Sequence, residues 1–248
     1  MWLAIWALFA AFIVVYVGWT LVVLFQQKKA WAAFAKKNKM KYESPKLTES
    51  PVVSGTYGTY QLALYAAVQQ TNDMRGQRFV NVIEFQFGKG MSTGAAIATK
   101  EFSGFINGLV FDQSYQPELA EWKPDYILRT RDEKNLKAYL TKERLQVLSK
   151  IFAMKNSATL FFFDELDAVL RIETSDPLRD EAHLNKIVKG LKESADILTP
   201  SDAERKKYKK LLAEEKKRRE QGYDEDDEDE SGEAVAPEPE EPQEEGGA

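Results

Sequence analysis

Residues 52–68 read VVSGTYGTYQLALYAAV, two runs rich in β-branched and aromatic residues, Val52–Tyr57 and Tyr60–Val68, set on either side of Gly58. Such side chains fit a pleated, half-buried surface, and a glycine takes the positive φ that a tight turn demands, so the stretch predicts a hairpin. The TNDMRGQ segment that follows supplies turn chemistry. Beyond it, Phe79–Phe87 places Phe79, Ile83, Phe85 and Phe87 on one face, which predicts a third strand paired with the second. This β-meander is the clearest β signal in the chain.

Toward the C-terminus, Gly88–Thr93 reads as a loop, 102–111 and 126–129 as strand-like stretches, and QPELAEWKPD as a connection punctuated by proline. Thr141 is a candidate N-cap, because its hydroxyl can accept an orphan backbone N–H. The apolar stripe Leu145, Leu148, Ile151 and Phe152 then predicts a helix over 142–153. Leu160–Phe163 and Ala168–Ile172 flank Asp164-Glu165-Leu166 and predict a second hairpin. Asp176-Pro177 supplies a cap and a first-turn proline for a final helix that turns Leu184, Ile187, Val188, Leu191, Ala195 and Leu198 inward. Meander, helix, hairpin and helix make residues 42–198 an α+β domain, large enough for one core.

Toward the N-terminus, residues 1–25 carry no charge and form, as a helix at about 1.5 Å per residue, a rod of roughly 37 Å, longer than the ~30 Å hydrocarbon core of a bilayer. No basic leader or small-residue cleavage site marks the segment as a signal peptide, so it reads as a transmembrane helix. Trp2 and Trp6 at one end, Trp19 and Phe25 at the other, suit the headgroup level. Lys28, Lys29, Lys36, Lys37, Lys39 and Lys41 all precede the first acid, Glu43, which predicts a cell-membrane protein with its N-terminus outside and its domain cytoplasmic. The bilayer is thus the first expected partner.

Residues 26–41 continue as a basic amphipathic helix in which Trp31, Phe34 and Ala35 share a face. Two readings stand open: the aromatics lie in the acyl boundary with the lysines at anionic headgroups, or the helix is a stalk whose aromatics pack on the domain. The first reading puts Trp31, Phe34, Lys28, Lys29, Lys36 and Lys37 at the membrane interface together with Trp2, Trp6, Trp19 and Phe25.

The overall charge of −5 conceals a division. From Asp224 onward there are thirteen acids and no base, so the remainder carries +8 and the tail −13. The tail, residues 223–248, has almost no aliphatic side chains and is expected to be disordered. Residues 199–222, opened by Thr199 or Ser201, form a charged helix with nine basic and five acidic residues and a narrow apolar edge of Tyr208, Leu211 and Leu212. It suits a solvated helix, or one that docks on anionic lipid or nucleic acid. The acidic tail beside it argues against nucleic acid.

The stretch NLKAYLTKERLQVLSKIFAMKNSATLFFFDELDAVLRI, together with VVSGTYGTYQLALY and RFVNVIEFQF upstream, resembles an uncharacterised bacterial membrane-associated family known as a domain of unknown function, over about residues 40–198. The resemblance implies a bacterial, membrane-attached α+β domain and carries over no functional residues.

Chemistry is sparse. With one histidine and no cysteine, Cys/His nucleophile pairs and His- or Cys-rich zinc sites are excluded. His183 reads as a helix-surface residue. Asp164, Glu165 and Asp167 form the densest acid cluster in the domain and are the candidates for carboxylate or metal chemistry, against a plain turn role. GKGMSTG with Lys89 lacks the order of a phosphate loop. No cofactor is implied. The sequence therefore points to a membrane-anchored interaction or scaffold module with an unidentified protein partner. A membrane-bound carboxylate enzyme is the alternative, and lipid or nucleic-acid binding through the basic helix the third reading. Oligomeric state is not legible.

Overall fold

The structure is a computed structural model that describes residues 2–44, 46, 48–70, 76–91 and 93–220. The expected turn at 71–75 and acidic tail at 223–248 lie outside the described residues. Met1–Lys209 form one compact unit and Lys210–Ala248 a second.

The first unit is α+β. It opens with one continuous helix, α1 (Trp2–Lys37), which covers both the apolar span and the basic segment. Strands β1 (Lys41–Glu43), β2 (Val52–Tyr57), β3 (Tyr60–Gln70) and β4 (Gln77–Gln86) follow as an antiparallel meander. Gly58 takes φ 67° in the β2–β3 turn, the conformation the hairpin requires of it. β5 (Ala95–Ala98) comes next, then a 3₁₀ turn (Lys100–Phe102) and α2 (Ser103–Asn107). After β6 (Gln113–Ser114) and β7 (Ile127–Thr130) the chain forms α3 (Glu133–Tyr139) and α4 (Lys142–Phe152). The hairpin β8 (Ser157–Phe163) and β9 (Ala168–Thr174) precedes α5 (Glu181–Leu198) and α6 (Asp202–Glu220). All nine strands join one antiparallel sheet in the order β1-β2-β3-β4-β9-β8-β5-β7-β6.

The two faces of the sheet are covered unequally. One carries the main core, where Leu62, Leu64, Ile83, Phe85, Phe161, Phe163, Leu170 and Ile172 meet the C-terminal part of α1, α3, α4 and α5. The other carries a small cluster, Ala96, Ala98, Leu160 and Ala158 beneath Phe102, Ile106 and Phe111. β5 contributes to both clusters, with Ala95 and Ile97 on one face and Ala96 and Ala98 on the other.

Two expectations are corrected. Residues 102–111 are not strand: Phe102 and Ile106 meet the same cluster at i, i+4 spacing, a helical period, with Gly104 and Gly108 between and after them. The final helix does not open at Asp176-Pro177. The Asp176 Oδ1 instead accepts the Leu178 N–H at 3.3 Å in a local turn, and Leu178, at φ 48°, interrupts any helix there. Asp180 is the cap, its Oδ1 accepting the His183 N–H at 2.6 Å. The Thr141 cap stands as expected, with Oγ1 accepting from the Arg144 N–H at 3.3 Å.

At the start of α6, Ser201 and Glu204 form a reciprocal capping box, Glu204 N–H to Ser201 Oγ at 3.2 Å and Ser201 N–H to Glu204 Oε2 at 2.8 Å. Tyr208 is buried in the main core, and Arg205 Nη1 donates to the Gly90 carbonyl at 2.6 Å. The beginning of the charged helix is therefore packed on the domain. In the second unit the described residues 210–220 are helical, with Lys210 paired to Glu214 at 3.8 Å.

Candidate membrane interface

Among the described residues, α1 is the one helix long and apolar enough to cross a membrane. Its residues 2–20 are exposed throughout, Trp2, Trp6 and Trp19 among them, so this segment contributes nothing to the domain core. Burial begins gradually. Leu21, Val23 and Leu24 are half-buried, Phe25 is exposed, and Gln27 is the first buried residue.

From Gln27 onward the helix belongs to the domain. The Gln27 side-chain amide donates to Asn81 Oδ1 at 2.8 Å, and Asn81 Nδ2 in turn donates to the Asp176 carbonyl at 2.7 Å, which ties α1 to β4 and to the segment before α5. Trp31 and Phe34 are fully buried. The Trp31 Nε1–H donates to the Leu178 carbonyl at 3.2 Å, the oxygen that the left-handed backbone at Leu178 presents, and Phe34 stacks on Tyr57 with centroids 6.2 Å apart. Lys39, at φ 55°, ends the helix: Met40 N–H returns to the Ala35 carbonyl at 2.8 Å and Lys39 N–H to Lys36, a Schellman closure with buried Met40 as its apolar contact.

These positions correct part of the interface assignment. A fully buried tryptophan and phenylalanine cannot also reach an acyl boundary, so Trp31 and Phe34 are core residues and the stalk reading describes them. Lys29 and Lys36 lie on the opposite side of the helix, while Lys28 and Lys37 flank the buried stripe. Lys29 and Lys36 are exposed, Lys28 Nζ donates to the Lys46 carbonyl at 2.6 Å, and Lys37 Nζ is 3.6 Å from Glu181. The basic collar is therefore partly tied to the domain's own surface.

The candidate chemical residues hold structural positions. Asp164 Oδ1 accepts the Leu166 and Asp167 N–H groups at 2.9 and 2.8 Å, and the three acids sit on the β8–β9 turn beside the exposed Leu166. The glycine-rich loop packs against that turn, and a Cβ on Gly90 would stand 2.3 Å from the Asp164 carbonyl oxygen, which explains a glycine there. Among the described residues no three His, Cys, Asp or Glu side chains converge as a metal site would require. His183 lies half-exposed at the start of α5, its Nε2 3.6 Å from Asp176.

Sequence reasoning misses two further features. On the open sheet face, Arg171 bridges Tyr65, Glu84 and Glu173; burial pushes the Tyr65 hydroxyl up to about 12, so it remains a neutral donor to Glu84. Between α4 and α5 lies an open groove of about 430 Å³, walled by Val147, Ile151, Met154, Ile187 and Leu191, with Lys150, Lys186 and His183 on its rim. Its walls come from the same two amphipathic helices whose apolar stripes build the core; the wider stripe of α5, which includes Ile187, is the signal that more apolar surface exists than the sheet covers.

No protein-family model matches the chain, and no curated protein matches it. Among solved structures, the chain is similar to the crystal structure of the mycobacterial trehalose monomycolate transport factor A, TtfA, at 10% identity and a TM-score of 0.41, over 71% of this chain and 97% of that one. At that identity and score the likeness carries no argument about function.

Proposed function

We propose that this chain is a membrane-anchored interaction module, N-terminus outside and α+β domain on the cytoplasmic face, that holds a protein-binding surface at a fixed position beside the bilayer. The observation that carries this reading is the continuity of α1. Its exposed apolar segment and its fully buried Trp31 and Phe34 belong to one unbroken helix, so anchor and domain share a rigid element and no linker separates them. Orientation rests on the lysines that follow the span without an intervening acid. The α4–α5 groove is the candidate partner surface, because its walls are apolar and its rim charged, the composition of a protein-recognition site. The carboxylate alternative is less well supported, since Asp164 is engaged by backbone N–H groups in a turn.

A photoreactive amino acid at Ile187, in the full chain within sealed native membranes, tests this. The expected result is a discrete protein adduct that a charge placed at the half-buried Val147 abolishes and that the same probe at Glu101, on the other sheet face, does not give. Identical labelling from Ile187 and Glu101, or none from Ile187, overturns the partner assignment. Protection of the domain from protease added outside checks the orientation.

A further inference from the structure

We infer that the occupant of the α4–α5 groove is an amphipathic helix of a partner protein, its apolar stripe flanked by acidic side chains. This rests on the reading of the groove as the partner surface and names the chemistry of what that surface takes.

The groove has the shape that a third helix completes. Its two walls are antiparallel helices. At one end the Arg144 Nε–H, near the start of α4, donates to the Ile197 carbonyl near the end of α5. At the other, the end of α4 meets the start of α5 through the β8–β9 pair: Ser157 Oγ–H donates to the Met154 carbonyl, Ser157 pairs with Thr174, and two residues on Asp176 faces His183 at 3.6 Å. On α5 the side turned to the groove runs through His183, Ile187, Gly190, Ser194 and Ile197, a single face at i, i+3 and i+4 spacing. That face is roughly 21 Å long, about four turns. A helix laid there sets its ridges into the channel between its neighbours and needs only one stripe covered. An acyl chain in a channel open along its length keeps much of its surface in water.

Gly190 stands at the middle of this face, inside a helix, where glycine is less favourable than alanine. A Cβ at that position would meet nothing within 4 Å, so among the described residues no neighbour requires the side chain to be missing. Close approach of a helix backbone from outside does require it. Ser194, one turn on, is also small, and its hydroxyl is spent on the Gly190 carbonyl at 2.9 Å, so it brings little polarity to the channel.

Charge decides the chemistry of the occupant's flanks. Lys150 on α4 and Lys186 on α5 stand exposed on the two rims, and among the described residues neither belongs to an ion pair. Their neighbours on α5 are paired, Lys189 with Glu193 at 4.0 Å and Lys192 with Asp196 at 2.6 Å. The acid on the rim, Glu193, is thus already matched, and the apolar floor lies between two unmatched cations, one from each wall. Acidic side chains on both flanks of an apolar stripe complement that arrangement, and basic ones oppose it.

The test uses the full chain in phosphatidylcholine nanodiscs and two fluorescent helical peptides of about sixteen residues, long enough to fill the groove. Both carry the same leucine and alanine stripe; one is flanked by glutamates and the other by lysines. Anisotropy is read against empty nanodiscs. The glutamate peptide is expected to bind at least about tenfold more tightly than the lysine peptide, and Lys150→Glu with Lys186→Glu to reverse that order. Gly190→Leu, which meets no atom of the chain, is expected to weaken the glutamate peptide by at least about tenfold. Lys29→Glu with Lys36→Glu, on α1, should leave it unchanged. Equal binding of the two peptides, or a loss that follows the α1 pair and not the groove pair, overturns the inference. Displacement of the glutamate peptide by dodecanoate at submicellar concentration makes the occupant an acyl chain and overturns it too. If neither peptide binds while the Ile187 photoadduct forms, the acidic helix is overturned and the partner surface stands; if the adduct is also missing, both fall.

Discussion

Arg144 and Glu204 join α4 to the first turn of α6, and replacing Glu204 by glutamine measures what that joint contributes. Arg144 is buried and its Nη1 and Nη2 each donate to a Glu204 oxygen at 3.0 Å, while Nη1 also reaches the Tyr139 carbonyl at 2.9 Å and Nε the Ile197 carbonyl at 3.1 Å. The guanidinium holds the Glu204 carboxyl down, from 4.5 to about 2, against a smaller opposing effect of burial. At about 1.4 kcal/mol per pKa unit the ceiling is about 3.4 kcal/mol. Because the Glu204 side chain is 32% exposed, solvent screening reduces this to about 1–2 kcal/mol. Since the carboxyl is more acidic in the folded chain, its contribution is complete above the unfolded value of 4.5 and fades as pH falls toward 2. Glu204→Gln is therefore expected to lower stability by about 1–2 kcal/mol at neutral pH and by much less near pH 2–3. Urea unfolding of the full chain in detergent micelles, followed by tryptophan fluorescence across that pH range, gives the comparison. A variant as stable as the parent at neutral pH, or a penalty that does not shrink with acid, refutes the reasoning.

Two further outcomes follow from the packing. Trp31→Ala removes a fully buried indole and leaves the Leu178 carbonyl without its donor, so it should cost about 3–5 kcal/mol in the same unfolding assay, whereas a purely lipid-facing tryptophan would cost the domain nothing. Gly90→Ala forces a Cβ to within 2.3 Å of the Asp164 carbonyl oxygen, and backbone must move; a loss of about 1–3 kcal/mol is expected, with equal stability the contrary result.

What the sequence makes legible here depends on whether a pattern has one physical meaning or two. The β2–β3–β4 meander is readable because runs of β-branched and aromatic residues on either side of a glycine turn admit little else. The α4 cap is readable because Thr141 can do only one thing at that position. β5 is hidden: its four residues, AAIA, are buried on both faces and so never alternate in polarity. Residues 102–111 are rich in phenylalanine and isoleucine, which favour strands, yet it is the spacing of Phe102 and Ile106 that decides. Trp31 and Phe34 expose the deeper ambiguity, because an apolar helical stripe does not say whether lipid or protein covers it. Two polar residues hold the answer. Gln27, just past an apolar span, and Asn81, within a strand of phenylalanine, valine and isoleucine, make sense only as partners, and their pairing requires α1 to lie on the sheet.

The unbroken passage of α1 from exposed span to buried core has a mechanical consequence. A shaft welded to its load transmits angle. With the span seated in a bilayer thinner than the helix is long, mismatch is relieved by inclination, commonly anywhere from about 0 to 40°. Through the helix they share, that inclination turns the domain, and the α4–α5 groove with it. For a span so seated, bilayer thickness becomes bearing, and the direction in which the groove faces follows the lipid around the other end.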